Sequence, residues 1–337
     1  MYTNTIDSAL SIRPELVVQV LQTIPPLEME ITDNVFKNKK TIYSDTCTKA
    51  QVDQIIQAVP YVMPGSDPPA ITGYTKTYEA LTVPPMEASQ RVTSNEIKRV
   101  SQLNGQDYNA WLAEKMTHVK RTLQYNLEWY ARHFLVNGSQ NYKMLVNNNW
   151  HNSVYSLGSF ATVTAPNTKF DDTGATLTGV MNHLDTMYKK NNDLGWFMDK
   201  NSIITYCRTE VFSAILNLMN SYHTTNVIGV ERVDIDTIRL SGYLLKRFDG
   251  TRKDPETQAN GASITAKRML MIDVGAGAPH TMVNLELDNL NAVGGQRHVL
   301  VDVYQDPRGN WVDITVSWRP LGLLIPPAVV DSGDCLL

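Results

Sequence analysis

Residues 106–137 read as one long rod, and few architectures can accommodate it. Leu112, Met116, Val119, Leu123, Leu127, Ala131 and Phe134 recur at three- and four-residue steps, one face of a 3.6-residue period. Asn137-Gly138 ends the pattern, because glycine takes the left-handed conformation past a helix C-terminus at little cost. Roughly 30 residues at about 1.5 Å each make a helix about 45 Å long. That exceeds the usual globular helix and predicts a spine for an elongated molecule. Glu114/His118 and Glu128/Arg132 stand four apart and are expected on the outer face, where opposite charges help slightly.

The second constraint lies just before the spine. Residues 60–86, PYVMPGSDPPAITGYTKTYEALTVPPM, hold six prolines, which excludes a central strand or a helix interior. The stretch is also too apolar for a free linker. Tyr61, Met63, Tyr74 and Tyr78 call for burial, and a long, partly apolar loop packs on its own protein or on another chain.

The remaining segments alternate. Residues 1–40 form a mixed arm in which Pro14–Leu21 has room for two helical turns before Pro25-Pro26 stops any helix. VFKNKKTIYSDTC reads as extended, and Gln51–Ala58 as a short helical turn. Between about 170 and 290, two helical patterns (Leu177 to Tyr188, Val211 to Met219) alternate with strand-like runs at Ile203–Tyr206, Ile235–Phe248 and Arg268–Val274. Val299, Val301 and Val303, then Val312, Ile314, Val316 and Trp318, alternate with polar residues on either side of Asp306-Pro307-Arg308-Gly309. That pattern is an antiparallel hairpin. The apolar ending RPLGLLIPPAVV must be buried or paired.

Composition narrows the function classes. Charged residues are only 19% of the 337, so neutral polar side chains carry much of the surface. Thirty basic against 34 acidic side chains leave a net charge of -4, which disfavours a globally basic nucleic-acid binder. Frequent large apolar residues at low net charge disfavour disorder. No apolar run approaches the ~20 residues of a membrane-spanning helix, and MYTNTIDSAL lacks the basic start of a secretory signal. Cys47, Cys207 and Cys335 are far apart and odd in number, which rules out a disulfide scaffold or zinc ribbon. The simplest reading is a soluble protein from a reducing compartment.

Chemistry-bearing motifs are absent. There is no phosphate loop, no H-E-x-x-H, no G-x-S-x-G and no EF-hand spacing. In MLMIDVGAGAPH, His280 follows a proline where a dinucleotide fingerprint needs its third glycine, so a tight turn after a strand is expected. The seven histidines are dispersed without carboxylates at metal spacing, and surface or packing roles are expected of them. Cys207 reads as a small core residue, and Cys335 as mobile. Asp171-Asp172 is expected to cap a turn and Asp234/Asp236 to line a solvated strand face. Lys39-Lys40, Lys189-Lys190 and Arg247–Lys253 are small basic clusters on the surface. Few charges, a proline-rich ordered loop and an overlong spine all suit a chain whose surface is spent on neighbours, because interface cores are depleted in charge.

Two segments carry a family resemblance. In ITGYTKTYEALTVPPMEASQRVTSNEI, Gly73-Tyr74, Lys76 and Val83-Pro84-Pro85-Met86 resemble the return strand of an extended loop in tailed-phage major capsid proteins of the lambda head-protein type. In DPRGNWVDITVSWRPLGLLIPPAVV, Asn310-Trp311 and Pro320-Leu321-Gly322-Leu323-Leu324 resemble that family's closing strands. The order of elements agrees over nearly the whole chain.

The resemblance implies an α+β, Hong Kong 97-like capsid fold. Its parts would be an N-arm (1–41), an extended loop (42–80), a peripheral domain (81–170 and 291–337) and an axial domain (171–290). It implies a non-enzymatic shell protein of the virion, assembled in the host cytoplasm from hexamers and pentamers around double-stranded DNA, with no cofactor and no metal. Lys49, Tyr61, Met63, Tyr74 and Tyr78 would make contacts between subunits. Leu112, Met116, Val119, Leu123, Leu127 and Phe134 would pack the spine. A separate scaffolding protein is expected, since no long charged helical segment precedes the N-arm. A portal and a decoration protein are further family partners. Lys49 offers a crosslinking amine without a named partner, so no crosslink is expected. An encapsulin-type compartment shares the fold and stays as the alternative, ahead of an α/β enzyme of unknown activity.

Overall fold

The computed structural model describes residues 12–42, 44, 46–54, 74–100, 105–156, 159–193, 199–222, 229–249, 252–261, 264–285, 287, 299–323 and 328–337. The N-terminal part runs α1 (Pro14–Thr23), α2 (Glu30–Asn34), β1 (Asn38–Ile42), β2 (Thr46–Gln54), β3 (Tyr74–Thr82), β4 (Met86–Thr93), α3 (Ser94–Val100) and α4 (Gly105–Asn137). Next come β5 (Ser139–Val146), β6 (Asn149–Ser156), β7 (Ala161–Thr162), α5 (Leu177–Asp193), β8 (Ile203–Cys207) and α6 (Thr209–Tyr222). Then follow β9 (Val230–Asp234), β10 (Thr237–Leu240), β11 (Tyr243–Arg247), β12 (Arg252–Lys253), β13 (Asn260–Gly261), β14 (Met269–Asp273) and β15 (Thr281–Leu285). The chain closes with β16 (Val299–Gln305), β17 (Trp311–Trp318), β18 (Pro320–Leu323) and β19 (Val329–Asp331).

A seven-stranded mixed sheet, ordered β7-β19-β14-β8-β11-β10-β9, forms the middle of the molecule. All five residues of β8 and of β14 are buried, the mark of strands covered on both faces. Strand alternation then divides the cores. Ile203 and Cys207 point to one side, where Val180, Leu184 and Met187 of α5 and Val211, Phe212 and Ile215 of α6 cover them. Ile204 and Tyr206 point to the other side, against Leu127, Ala131, Phe134 and Leu135 of α4 and against Ile31 and Phe36 of the N-arm. The sheet also takes in β7 and β19, from outside the 171–290 stretch.

The predicted C-terminal hairpin forms with Val301 opposite Val316. It gains a third strand, because β4 pairs with β17 from Trp311↔Thr93 to Trp318↔Met86. A smaller sheet, β1-β15-β18, ties the end of the N-arm to the apolar ending. The expected helical turn at Gln51–Ala58 is corrected: through Gln54 the backbone is strand β2, because each residue there pairs with β3, and a cross-strand ladder overrides local propensity. Residues 55–58 lie outside the described residues.

The long helix spans Gly105–Asn137, 33 residues, and Gly138 follows with φ +67°, accepting the left-handed turn. Its amphipathic period holds through Leu123 and then fails, for every residue from Leu127 to Arg132 is buried. Trp129 and Tyr130 fill a fourth cluster with Tyr142, Val283, Leu285 and Leu321. The C-terminal half of the spine is therefore enclosed on all sides, as expected of a helix crossing a core rather than lining one.

Cys335 also departs from expectation. It is fully buried in the core beneath α5 and α6, its N–H donates to the Lys267 carbonyl at 2.6 Å, and its thiol reaches Ser332 Oγ at 3.2 Å. The terminus is fixed because Phe170 N–H donates to the Cys335 carbonyl and Leu337 N–H to Asp171 Oδ1.

Phe134 is completely buried between sheet and N-arm. Phe134→Ala is expected to cost about 3–5 kcal/mol, the range for a large aromatic removed from a rigid core. Urea denaturation of the purified subunit checks this. A loss below about 1 kcal/mol would mean that the site collapses around the cavity.

Candidate assembly surfaces

The frame of the molecule is built from a polar stripe on the spine. Lys120, Gln124, Glu128 and Arg132 recur every four residues, so they line one face of the helix. Each holds the N-arm. Lys120 Nζ donates to the carbonyls of Leu21 (2.8 Å) and Ile24 (2.6 Å), the last turn of α1, where a cation meets unpaired carbonyls. Gln124 Oε1 accepts from Leu27 N–H at 2.9 Å. Glu128 accepts from the N–H groups of Ile31 and Thr32, both at 3.0 Å, and from the Thr32 hydroxyl at 2.9 Å, placing a carboxylate at the start of α2.

Arg132 completes the stripe. Its Nε donates to Glu128 Oε1 at 2.9 Å, and Nη2 lies 3.5 Å from Glu30 Oε2. The guanidinium stacks over Phe248, 4.4 Å from the ring centre. Lys246 of β11 reaches Glu30 at 3.2 Å, so the central sheet, N-arm and spine share one charge network. The expected outward placement of Glu128/Arg132 is thus corrected: their side chains are 0% and 2% exposed. Spacing of opposite charges alone cannot tell a solvated pair from one roofed over by a distant segment. Glu114 and His118 are exposed as expected.

All six predicted spine-packing residues are buried, but in two separate clusters. Leu112, Met116, Val119 and Leu123 pack on α1 and on the three-stranded sheet, against Val17, Leu21, Val301 and Val316. Leu127 and Phe134 pack on the seven-stranded sheet. Beside the spine's first half, Thr93 and Glu96 form a reciprocal cap on α3. Glu96 Oε2 accepts from Thr93 N–H at 3.0 Å and Glu96 N–H donates to Thr93 Oγ1 at 3.4 Å. Lys115 of the spine, 2.9 Å away, and the Thr93 N–H together hold the Glu96 carboxyl down at about 2.

The expected contact loop begins as a two-stranded arm. β2 and β3 pair from Thr46↔Thr82 to Gln54↔Tyr74, placing Lys49 opposite Glu79 and Tyr78 opposite Ala50. Tyr61 and Met63 lie outside the described residues. Two further features had no prominent sequence signal. Hairpin β5–β6 displays Leu145, Val146, Trp150 and Val154, and the β9 edge displays Val233 and Ile235.

Reactive side chains are placed for packing. Cys207 is fully buried and burial pushes its thiol upward, while burial pushes Cys335 up to about 12. His280 is enclosed and pushed down to about 3 by burial, and His183 is lowered by burial while contacting the Ser332 carbonyl at 3.1 Å. Among the described residues no group of three or more His, Cys, Asp or Glu is arranged to hold a metal, and no helix is long and apolar enough to cross a membrane. The tight turn expected after MLMID forms at Gly275, where an added Cβ would stand 2.8 Å from Ser202 Cβ.

The family profile described as phage major capsid protein E matches residues 16–333. No curated protein matches. The fold is similar to that of a solved putative capsid protein of a prophage from E. coli CFT073, with a TM-score of 0.63 at 10% identity over 95% of this chain and 98% of that one. It is also similar to the capsid subunit of cyanophage A-1(L), with a TM-score of 0.51 at 9% identity over 94% of this chain and 95% of that one.

Removing Glu128 by Glu128→Ala strands the Arg132 charge in the core and is expected to cost about 3–5 kcal/mol in urea denaturation, with Glu128→Gln/Arg132→Met regaining much of it. A cost under about 1 kcal/mol would show the pair to be as open as a surface bridge. The Glu96 carboxyl ionises at lower pH folded than unfolded. Its stabilisation is therefore complete above its ordinary 4.5 and is lost as pH falls through about 2. The melting-temperature difference between wild type and Glu96→Gln should shrink across that window, and a pH-independent difference would count against the assignment.

Proposed function

The chain belongs to the phage major capsid protein E family, and we infer that it acts through contacts rather than catalysis, as the repeated subunit of an icosahedral phage head. The carrying observation is the family match across residues 16–333, on a fold shared with solved phage capsid proteins. Copies assemble into the shell. In our reading, hexamers and pentamers form through heterologous contacts that close into rings, and many weak interfaces add up through multivalency. The encapsulin-type alternative uses the same fold, and the family match favours the phage shell.

We assign the parts as follows. Residues 42–80 are the extended loop that lies over a neighbour, with Lys49, Tyr61, Met63, Tyr74 and Tyr78 as its contacts. Residues 171–290 form the axial domain near ring centres, and 81–170 with 291–337 the peripheral domain. The pairing of β2 with β3 supports the loop reading, since a two-stranded arm is marginal in water without a packing partner. A net charge of -4 suits a wall that encloses double-stranded DNA without gripping it. A separate scaffolding protein, a portal and a decoration protein complete the proposed set of partners, with assembly in the host cytoplasm.

Expression of the chain, followed by size exclusion and negative-stain microscopy, tests this. Megadalton shells, tubes or ring-shaped hexamers are expected. Small oligomers that persist with the phage scaffold or a crowding agent would overturn the assembly reading. Deletion of residues 47–75 should leave a soluble subunit that forms no shells, and wild-type shells from that deletion would overturn the loop assignment.

A further inference from the structure

Hairpin β5–β6 leaves the frame directly after the spine. Its two eight-residue strands pair in register from Ser139↔Ser156 to Val146↔Asn149. Eight residues at about 3.4 Å make an arm roughly 27 Å long. The tip is a two-residue turn with Asn147 at φ +50° and Asn148 at φ +62°, the twist that suits a tight hairpin and that asparagine tolerates. The base is fixed. Lys143 Nζ bonds Asp254 at 2.7 Å and Glu256 at 2.8 Å, and the Tyr142 ring packs against Tyr130.

On one face of the arm, apolar side chains on either side of Lys143 are open to water. Leu145 sits opposite Trp150, and Val154 lies on the same face four pairs nearer the base, with the Lys143↔Asn152 pair between them. Their exposures are 57%, 39% and 60%. Residues 139–156 contain a single charged side chain, Lys143, and its charge is paired with Asp254 and Glu256. A two-stranded ribbon needs another surface for its stability, and an aromatic-bearing face whose one charge, Lys143, is already paired within its own chain matches interface cores rather than solvated ones.

We propose that this hairpin is a contact between subunits, laying its Leu145–Trp150–Val154 face against a second copy of this chain. The proposal rests on the assembly reading above, in which the nearest neighbours of every subunit are copies of itself. Charge decides among the occupants. A phosphate backbone would require lysines or arginines that the arm lacks beyond its base, whereas a second copy, only 19% charged, supplies neutral surface. The fixed base and tight turn hold the arm ready to dock, which lowers the ordering cost of binding.

Particles formed by the wild-type chain are compared with those of Leu145→Glu/Trp150→Glu by sedimentation and microscopy. At least a tenfold loss of particles is expected, with the melting temperature of the dissociated subunit unchanged. Equal particle yield overturns the proposal. A second measurement does not depend on the double variant folding: Trp150→Cys in a Cys47→Ser background is labelled with maleimide in particles and in dissociated subunits. Labelling at least tenfold slower in particles made of this chain alone supports the contact. Equal rates, or protection only when a scaffold or decoration protein is added, overturn it. A wild-type chain that forms no particles even with the phage scaffold or a crowding agent overturns the assembly reading itself, which is a distinct outcome.

Discussion

The buried Glu128–Arg132 pair is the interaction on which the rest of the structure depends. Taking both charges out of water is costly, and the cost is offset because the carboxylate is filled with donors and the guanidinium is paired. Glu128 spends its oxygens on two backbone N–H groups, a hydroxyl and the guanidinium, and Arg132 adds Glu30 and the face of Phe248. The partners come from the N-arm, the spine and the sheet side of the core. They meet in one arrangement, since any slip leaves a charge buried and unpaired. Greasy packing alone would tolerate several registers of the arm along the helix; the Lys120–Gln124–Glu128–Arg132 stripe selects one.

That register explains how one helix serves two cores. The spine's first half faces α1 and the three-stranded sheet, and its second half is enclosed by the seven-stranded sheet, the N-arm and the β1-β15-β18 sheet. Both halves share one rigid rod, so movement of the first core relative to the second must bend the helix or break its polar stripe. Stiffness of this kind is useful in a wall, where each subunit has to present its contact faces at fixed angles. The proposed contact features are the two-stranded pairs β2–β3 and β5–β6 and the edge strand β9 of the central sheet.

Cys207, Cys335 and His280 are all enclosed. Cys207 and Cys335 lie inside the sheet–helix core, where the thiolate is disfavoured, and His280 is held neutral by burial. These side chains fill space.

Short-range order was readable in the residues themselves. The period of Leu112 to Phe134 and the stop at Asn137-Gly138 place the spine within a residue of its observed ends, because helical spacing and a left-handed glycine are local effects. The alternation of Val299–Val303 and Val312–Trp318 likewise determines the terminal hairpin, and the order of motifs pointed to the capsid family. Tertiary structure alone decided the rest. It turned Gln51–Gln54 into strand by supplying a partner twenty or more residues away, buried Cys335 by drawing the terminus under α5, and roofed Glu128 and Arg132 with an arm about a hundred residues distant. It also left Leu145, Trp150 and Val154 in water, a fate that no local spacing announces. Local sequence determines backbone form; whether a side chain meets water, its own chain or another copy depends on which distant segment arrives.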